Sequence, residues 1–181
     1  MANLRTFEIN NLYHNYSRGV NKNKIFLCES DFYRFYKSIF IFNTTSNTSF
    51  RNNFKSTEEK LVHIDCFTLM PNHFHIVLKE IKEGGISKFL QKLLTSYSMY
   101  FNKKYGRTGS LFENRFKDKL VSTDSYYNYL REYIKNNCIK LIKKDYNSRE
   151  VLYENMILTQ PEKEFVKNYK FSYFNDPEVA P

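Results

Sequence analysis

Residues 60–80, KLVHIDCFTLMPNHFHIVLKE, decide the fold. They hold two apolar runs of strand length, broken near Met70-Pro71-Asn72. The simplest reading is two adjacent strands joined by a short turn. Residues two apart on a strand project from one face, so His73 and His75 point together while Phe74 and Ile76 face the opposite, core side. Two imidazoles side by side suit one divalent ion. Two polar residues lining a solvated sheet face satisfy the same spacing equally well.

Working outward, NLYHNYSRGV alternates and ends at a glycine, which predicts a first strand over residues 12–18. In CESDFYRFYKSIFIF, Ser30 or Asp31 can cap a helix whose Phe32, Phe35, Tyr36, Ile39 and Phe40 recur at helical spacing. NTTSNTSFRNN is polar and reads as a loop. After Gly84-Gly85, the positions Ile86, Phe89, Leu90, Leu93, Leu94, Tyr97, Tyr100 and Phe101 form an amphipathic helix. A strand is expected around residues 115–121. A further helix, YYNYLREYIKNNCIKLI, would be capped by Asp124 or Ser125. The order strand, helix, strand, strand, helix, strand is the split βαβ pattern of an α+β, ferredoxin-like antiparallel sheet. Its two helices would cover one face and leave the other for a site or partner. Residues 1–145 read as one domain, and residues 146–181 as a partly irregular C-terminal extension.

The chain of 181 residues carries a formal net charge of +9, and such an excess draws polyanions. In SYSMYFNKKYGRTGSLFENRFKDK the cations Lys103, Lys104, Arg107, Arg115, Lys117 and Lys119 interleave with Tyr97, Tyr100, Phe101, Tyr105, Phe112 and Phe116. Cations for phosphates beside rings for unpaired bases are what single-stranded nucleic acid requires. An aromatic core with lysines outside gives the same composition. No stretch approaches the ~18–20 apolar residues of a membrane span. The N-terminus lacks the apolar core of a signal peptide, so a cytoplasmic location is expected. Cys28, Cys66 and Cys138 show no CxxC spacing and read as small buried residues.

On the last clear helix, YLREYIKNN places Tyr133 and Asn137 four residues apart, on one stripe. Tyr126, Tyr129 and Tyr133 also form a core-like aromatic stripe, so periodicity alone allows Tyr133 to be core or nucleophile. Together with YHNYSRGVNKNKIF, DFYRFY, FTLMPNHFHIVL and GGISKFLQKLLTSYSMYFNKKYGRTGSLFENRFKDKLV, this helix carries a family resemblance. Over about residues 12–142 the chain resembles the IS200-like transposases, small single-tyrosine HUH enzymes. Within them it is most similar to the branch associated with repetitive extragenic palindromes. The MPNHxH, GxLFxxRF and YIxxN runs stand in the family's order.

The resemblance implies that His73 and His75 are metal ligands, that Asn137 is the third and that Tyr133 is the catalytic tyrosine. Cys138 stands where the family usually has proline, which should relax the helix end. The implied activity is a DNA transposase that nicks and rejoins single-stranded DNA, with Mg²⁺ or Mn²⁺ and no nucleotide cofactor, through a 5′-phosphotyrosine. Hairpin-bearing DNA and a homodimer are the partners expected by resemblance. Arg18 and Arg115 lie in matching motifs and read either as phosphate contacts or as surface salt-bridge residues. His14 reads as packing. A HIT-like hydrolase would need a third histidine where Val77 stands. A ferredoxin-like nucleic-acid-binding module, domesticated or inactive, explains the charge and rings but not the joint occurrence of His73, His75, Tyr133 and Asn137.

Overall fold

The computed structural model describes residues 6–50, 59–144, 146 and 158–174. The expected loop's last residues, 51–53, and half of the expected C-terminal extension, 147–157 and 175–181, lie outside them. Strands β1 (Leu12–Arg18), β2 (Val62–Met70), β3 (His73–Glu80), β4 (Lys117–Leu120) and β5 (Ser172–Phe174) form one sheet in the order β4-β1-β3-β2-β5. Every neighbouring pair is antiparallel. The first four strands interleave with helices α1 (Glu29–Ile41) and α2 (Gly85–Tyr105) as the split βαβ pattern requires. Helix α3 (Asp124–Asn136) follows β4, and α4 (Gln160–Asn168) precedes β5.

The apolar faces of α1 and α2 bury one side of the sheet. Phe35 and Ile39 of α1 and Phe89, Leu90, Leu93 and Tyr97 of α2 meet Phe67, Leu69, Phe74, Ile76 and Leu78 of the strands. Each such side chain contributes roughly 1.5–3 kcal/mol on full burial. The Tyr97 hydroxyl enters this core because it donates a 2.6 Å hydrogen bond to the Ile25 carbonyl. Helix α2 starts where the buried Glu80 carboxylate accepts from the N–H groups of Gly85 (3.0 Å) and Ile86 (2.7 Å), which satisfies orphan donors of its first turn. A Cβ on Gly85 would stand 2.2 Å from the Leu61 carbonyl oxygen, so only glycine lets the helix begin this close to the β2 entry.

Helix α1 begins two to three residues earlier than its sequence caps, Ser30 or Asp31, suggest. Cys28 takes the N-cap position, and Asp31, at the third helical position, accepts from the N–H groups of Leu27 (2.9 Å) and Cys28 (3.3 Å). The same carboxylate, fully buried, accepts from Lys104 Nζ (2.6 Å), Tyr100 (3.0 Å) and Tyr105 (2.7 Å) on α2. Burial opposes its charge, but these donors win and hold its pKa down to about 2. Cys28 corrects the expectation of three buried cysteines: Cys66 and Cys138 are buried, whereas the N-cap thiol is exposed. Contacts with Ser30, Tyr105 and Lys104 lower its pKa to about 7.

The other sheet face is not bare. Helix α3 starts at Thr123, whose hydroxyl accepts from the Tyr126 N–H at 3.1 Å, and not at Asp124 or Ser125. It lays Leu130 and Ile134 against Cys66 and Val77. The β2 register shifts between Ile64 and Cys66, and Asp65, left over there, accepts a 2.7 Å hydrogen bond from Tyr127 of α3. The helix ends at Asn136 and continues as a 3₁₀ turn, Asn137–Leu141. Cys138 and Ile139 of that turn share a small core with Met70, Tyr146 and Val166, so α4 packs behind it. The Tyr169 hydroxyl bonds the Leu69 carbonyl at 2.6 Å, and β5 then adds to the β2 edge.

Candidate active site

Directly opposed residues of antiparallel strands share a face, so the register builds the site row by row. One row reads Lys117–Tyr16–His75–Thr68. Its neighbours read Arg18–His73–Met70 and Lys119–His14–Val77–Cys66. Both histidines therefore stand on the α3 side, while Phe74 and Ile76 lie in the core beneath α1 and α2. A cleft of about 1000 Å³ opens above them between β1, β3, β4 and α3. Tyr133 of α3 projects into it, its ring centroid 5.5 Å from that of His75 and nearly perpendicular to it. The histidine rings are 5.1 Å apart.

Both histidines are held by one ring nitrogen. His73 Nδ1 lies 2.6 Å from Asn72 Oδ1, and His75 Nδ1 lies 2.9 Å from His14 Nε2. A ring that donates from Nδ1 keeps a lone pair on Nε2. Burial, then the charges of Arg18 and Lys140, push the His73 pKa down to about 4. Burial, His14 and His73 push that of His75 well below its ordinary value. Both imidazoles are thus neutral, the form that ligates metal.

Asn137 is fully buried beside His73, yet neither atom of its side-chain amide has a hydrogen-bond partner. The amide lies close enough to His73 to favour its proton, though without the geometry of a hydrogen bond. A buried amide without partners costs about 1–3 kcal/mol, a cost that a ligand bound to its oxygen would offset. Among the described residues no three His, Cys, Asp or Glu side chains converge as a metal cluster. The cleft offers the imidazole nitrogens of His73 and His75, and the Asn137 amide is buried beside His73 behind the cleft lining. Two imidazole nitrogens and an amide oxygen would suit a divalent ion with open positions.

Of the cations singled out by sequence, Arg18, Lys117 and Lys119 line this cleft, with Lys140 added by the turn after α3. Lys103 lines a different groove, between α1 and α2 across the sheet. Lys104 is paired with Asp31, Arg107 leans on Asn102 and the Phe101 ring, and Arg115 is exposed ahead of β4. Sequence reasoning left out Tyr16, Asn72 and Lys140 and read His14 as packing. His14 and Tyr16 share the strand parity of Arg18, which was the available signal.

The site thus sits on an antiparallel α+β fold, on the sheet face crossed by the tyrosine-bearing helix α3. A solved REP-associated tyrosine transposase bound to a REP hairpin shares this fold, with a TM-score of 0.55 over 78% of this chain and 74% of that one, at 14% identity. The family model for IS200-like transposases matches residues 36–137, more than half of the chain. The chain belongs to the IS200-like transposase family. No curated protein sequence matches it. Among the described residues no helix is long and apolar enough to cross a membrane.

Proposed function

We propose that the protein nicks and rejoins single-stranded DNA at hairpin-bearing ends, with Tyr133 as nucleophile and a divalent ion held by His73, His75 and Asn137. The observation that carries this reading is the placement of Tyr133 against His75, ring to ring at 5.5 Å, within one chain. The unpartnered amide of Asn137 supports the ligand set. Mg²⁺ or Mn²⁺ bound there would supply a Lewis acid for the scissile phosphate.

The residues of the chain do the rest. Arg18, Lys117 and Lys140 bring positive charge to the cleft where a phosphate would enter. With His75 donating from Nδ1 to His14 Nε2 and His73 donating from Nδ1 to Asn72 Oδ1, both ligand nitrogens would stay unprotonated. Tyr133 is carried on a helix fixed by Leu130, Ile134 and the Tyr127–Asp65 bond, which limits its freedom before attack. Attack by its oxygen forms a P–O bond and expels the 3′ oxygen. The phenolic proton passes to solvent, and the leaving oxygen takes up a proton to become a 3′-OH. The 5′-phosphotyrosine keeps the ester's energy, so another 3′-OH can reverse the step and join new ends without ATP. A homodimer, expected from the resemblance, would pair two such clefts but is not needed to complete either.

The test incubates the protein with labelled single-stranded DNA from the flanks of its own gene, with and without Mg²⁺ or Mn²⁺. A metal-dependent covalent adduct is expected, lost in Tyr133→Phe and in His73→Ala/His75→Ala. An adduct that survives Tyr133→Phe refutes the reading. Sequence-specific binding without cleavage would favour a binding module.

A further inference from the structure

The tyrosine stripe of α3, core-like by periodicity, is not core. Tyr126, Tyr129 and Tyr133 are each half-buried and line the cleft. Their rings stack along the helix as a ladder. Tyr126 and Tyr129 are 6.3 Å apart at 20°, and Tyr129 and Tyr133 are 6.4 Å apart at 16°. That spacing is close to twice the ~3.4 Å step between stacked bases. A cation stands at each end: Lys119 Nζ lies 4.4 Å over the Tyr126 ring, and Lys140 Nζ lies 5.7 Å from that of Tyr133. A helix that only needed to bury its face would not keep three near-parallel phenols half-exposed in an open cleft between lysines.

Resting on the nicking reading above, we propose that this ladder is a track for unpaired bases adjoining the scissile phosphate. One base stacks on Tyr129 and the next on Tyr126, while Lys119 meets the backbone beyond them. Stacking is blind to base identity, because every base has a π-face. The ladder therefore holds the strand in place without reading its sequence. It also favours unpaired DNA, since a base inside a duplex offers no free face to a side chain.

The test uses Tyr133→Phe protein, in which the ring stays and cleavage is expected to stop, so binding is read alone. Single-stranded oligonucleotides carry 2-aminopurine at successive positions around the mapped cleavage site. Two neighbouring positions on one side of that site should be quenched on binding. Tyr129→Leu and Tyr126→Leu, added singly, should abolish that quenching and weaken binding about 5- to 100-fold. Tyr129→Phe and Tyr126→Phe should bind as the parent does. Lys119→Ala should lower the slope of log affinity against log salt by about 0.7.

Leucine variants that bind within twofold of the parent would overturn the proposal. So would equal losses in the phenylalanine variants, or an equal loss on fully paired DNA. Thermal unfolding of each variant checks the fold. If Tyr129→Leu does not fold, Tyr126→Leu and the parent's quenching pattern still decide. Should the wild-type protein form no adduct while the ladder variants behave as stated, the nicking reading falls and the ladder stands; positions can then be scanned along the whole strand. Adduct formation that is indifferent to both leucine changes has the opposite meaning.

Discussion

Replacing His14 by leucine tests whether the hydrogen bond behind His75 prepares it as a ligand. His14 Nε2 lies 2.9 Å from His75 Nδ1, and each residue is only 7% exposed. Leucine fills the buried space but offers no acceptor. A buried N–H without a partner costs about 1–3 kcal/mol. His75 can escape that cost by moving its proton to Nε2, the nitrogen the ion needs. Metal binding must then restore the unfavourable tautomer at a cost of about 1–2 kcal/mol, which is a factor of about 5–30 in affinity. That lies near the 10- to 100-fold loss typical of removing a group behind a metal ligand. Glutamine places an amide oxygen about where Nε2 was and restores the acceptor. Mn²⁺ titrated into DNA-free protein and followed by the electron paramagnetic resonance of the free ion gives the affinities. His14→Leu should bind about 5- to 30-fold more weakly, with His14→Gln within about threefold of wild type. Equal affinity of His14→Leu and wild type would refute the positioning role.

Asn137→Leu should leave the melting temperature unchanged or raise it, because it removes a buried amide that has no partner, while lowering Mn²⁺ affinity at least ~10-fold. A large fall in stability would instead make the amide structural. Asp31→Asn should destabilise the fold by about 2 kcal/mol, read from denaturant midpoints at neutral pH. Its folded pKa of about 2 lies below the unfolded value near 4, so the carboxylate's contribution is complete above pH ~4 and is lost as pH falls towards 2. The wild type should lose stability across that window, and the variant should lose less; parallel acid limbs would contradict this. Gly85→Ala must displace backbone to clear a 2.2 Å approach to the Leu61 oxygen and should cost about 1–3 kcal/mol, with an unchanged midpoint as the refuting result.

The parts of the site that rest on local geometry were legible. The break at Pro71 separates β2 from β3, and strand parity alone puts His73 and His75 on one face with Phe74 and Ile76 on the other. Helix α2 was legible because its apolar stripe is long. Cross-strand register was not, because nothing in NLYHNYSRGV says which residue of β3 lies opposite Tyr16. His14 reads as packing until the register sets it on the row next to His75, where the rings meet. Runs of cations mislead for a related reason. Lys103, Lys104 and Arg107 adjoin Lys117 in the chain, but a helix end and a turn separate them in space, and Lys104 is held by the buried Asp31.

The C-terminal segment shows the other limit. Helix α4 has nine residues, too few turns for a clear period, and buries only Val166. What it does is tertiary. With Tyr146 it closes the small core around Cys138 and Ile139, the two residues that follow Asn137 in its turn. Cysteine at 138 has an N–H and a small apolar body, so the chain passes from α3 into the 3₁₀ turn without the kink a proline would impose. The proposed ligands are therefore fixed by different physics. Strand alternation orients the histidines, and a single substitution elsewhere leaves that parity intact. Asn137 is aimed by packing between a turn and a helix from far along the chain. Damage to α4 should accordingly weaken metal binding while His73 and His75 keep their places on β3.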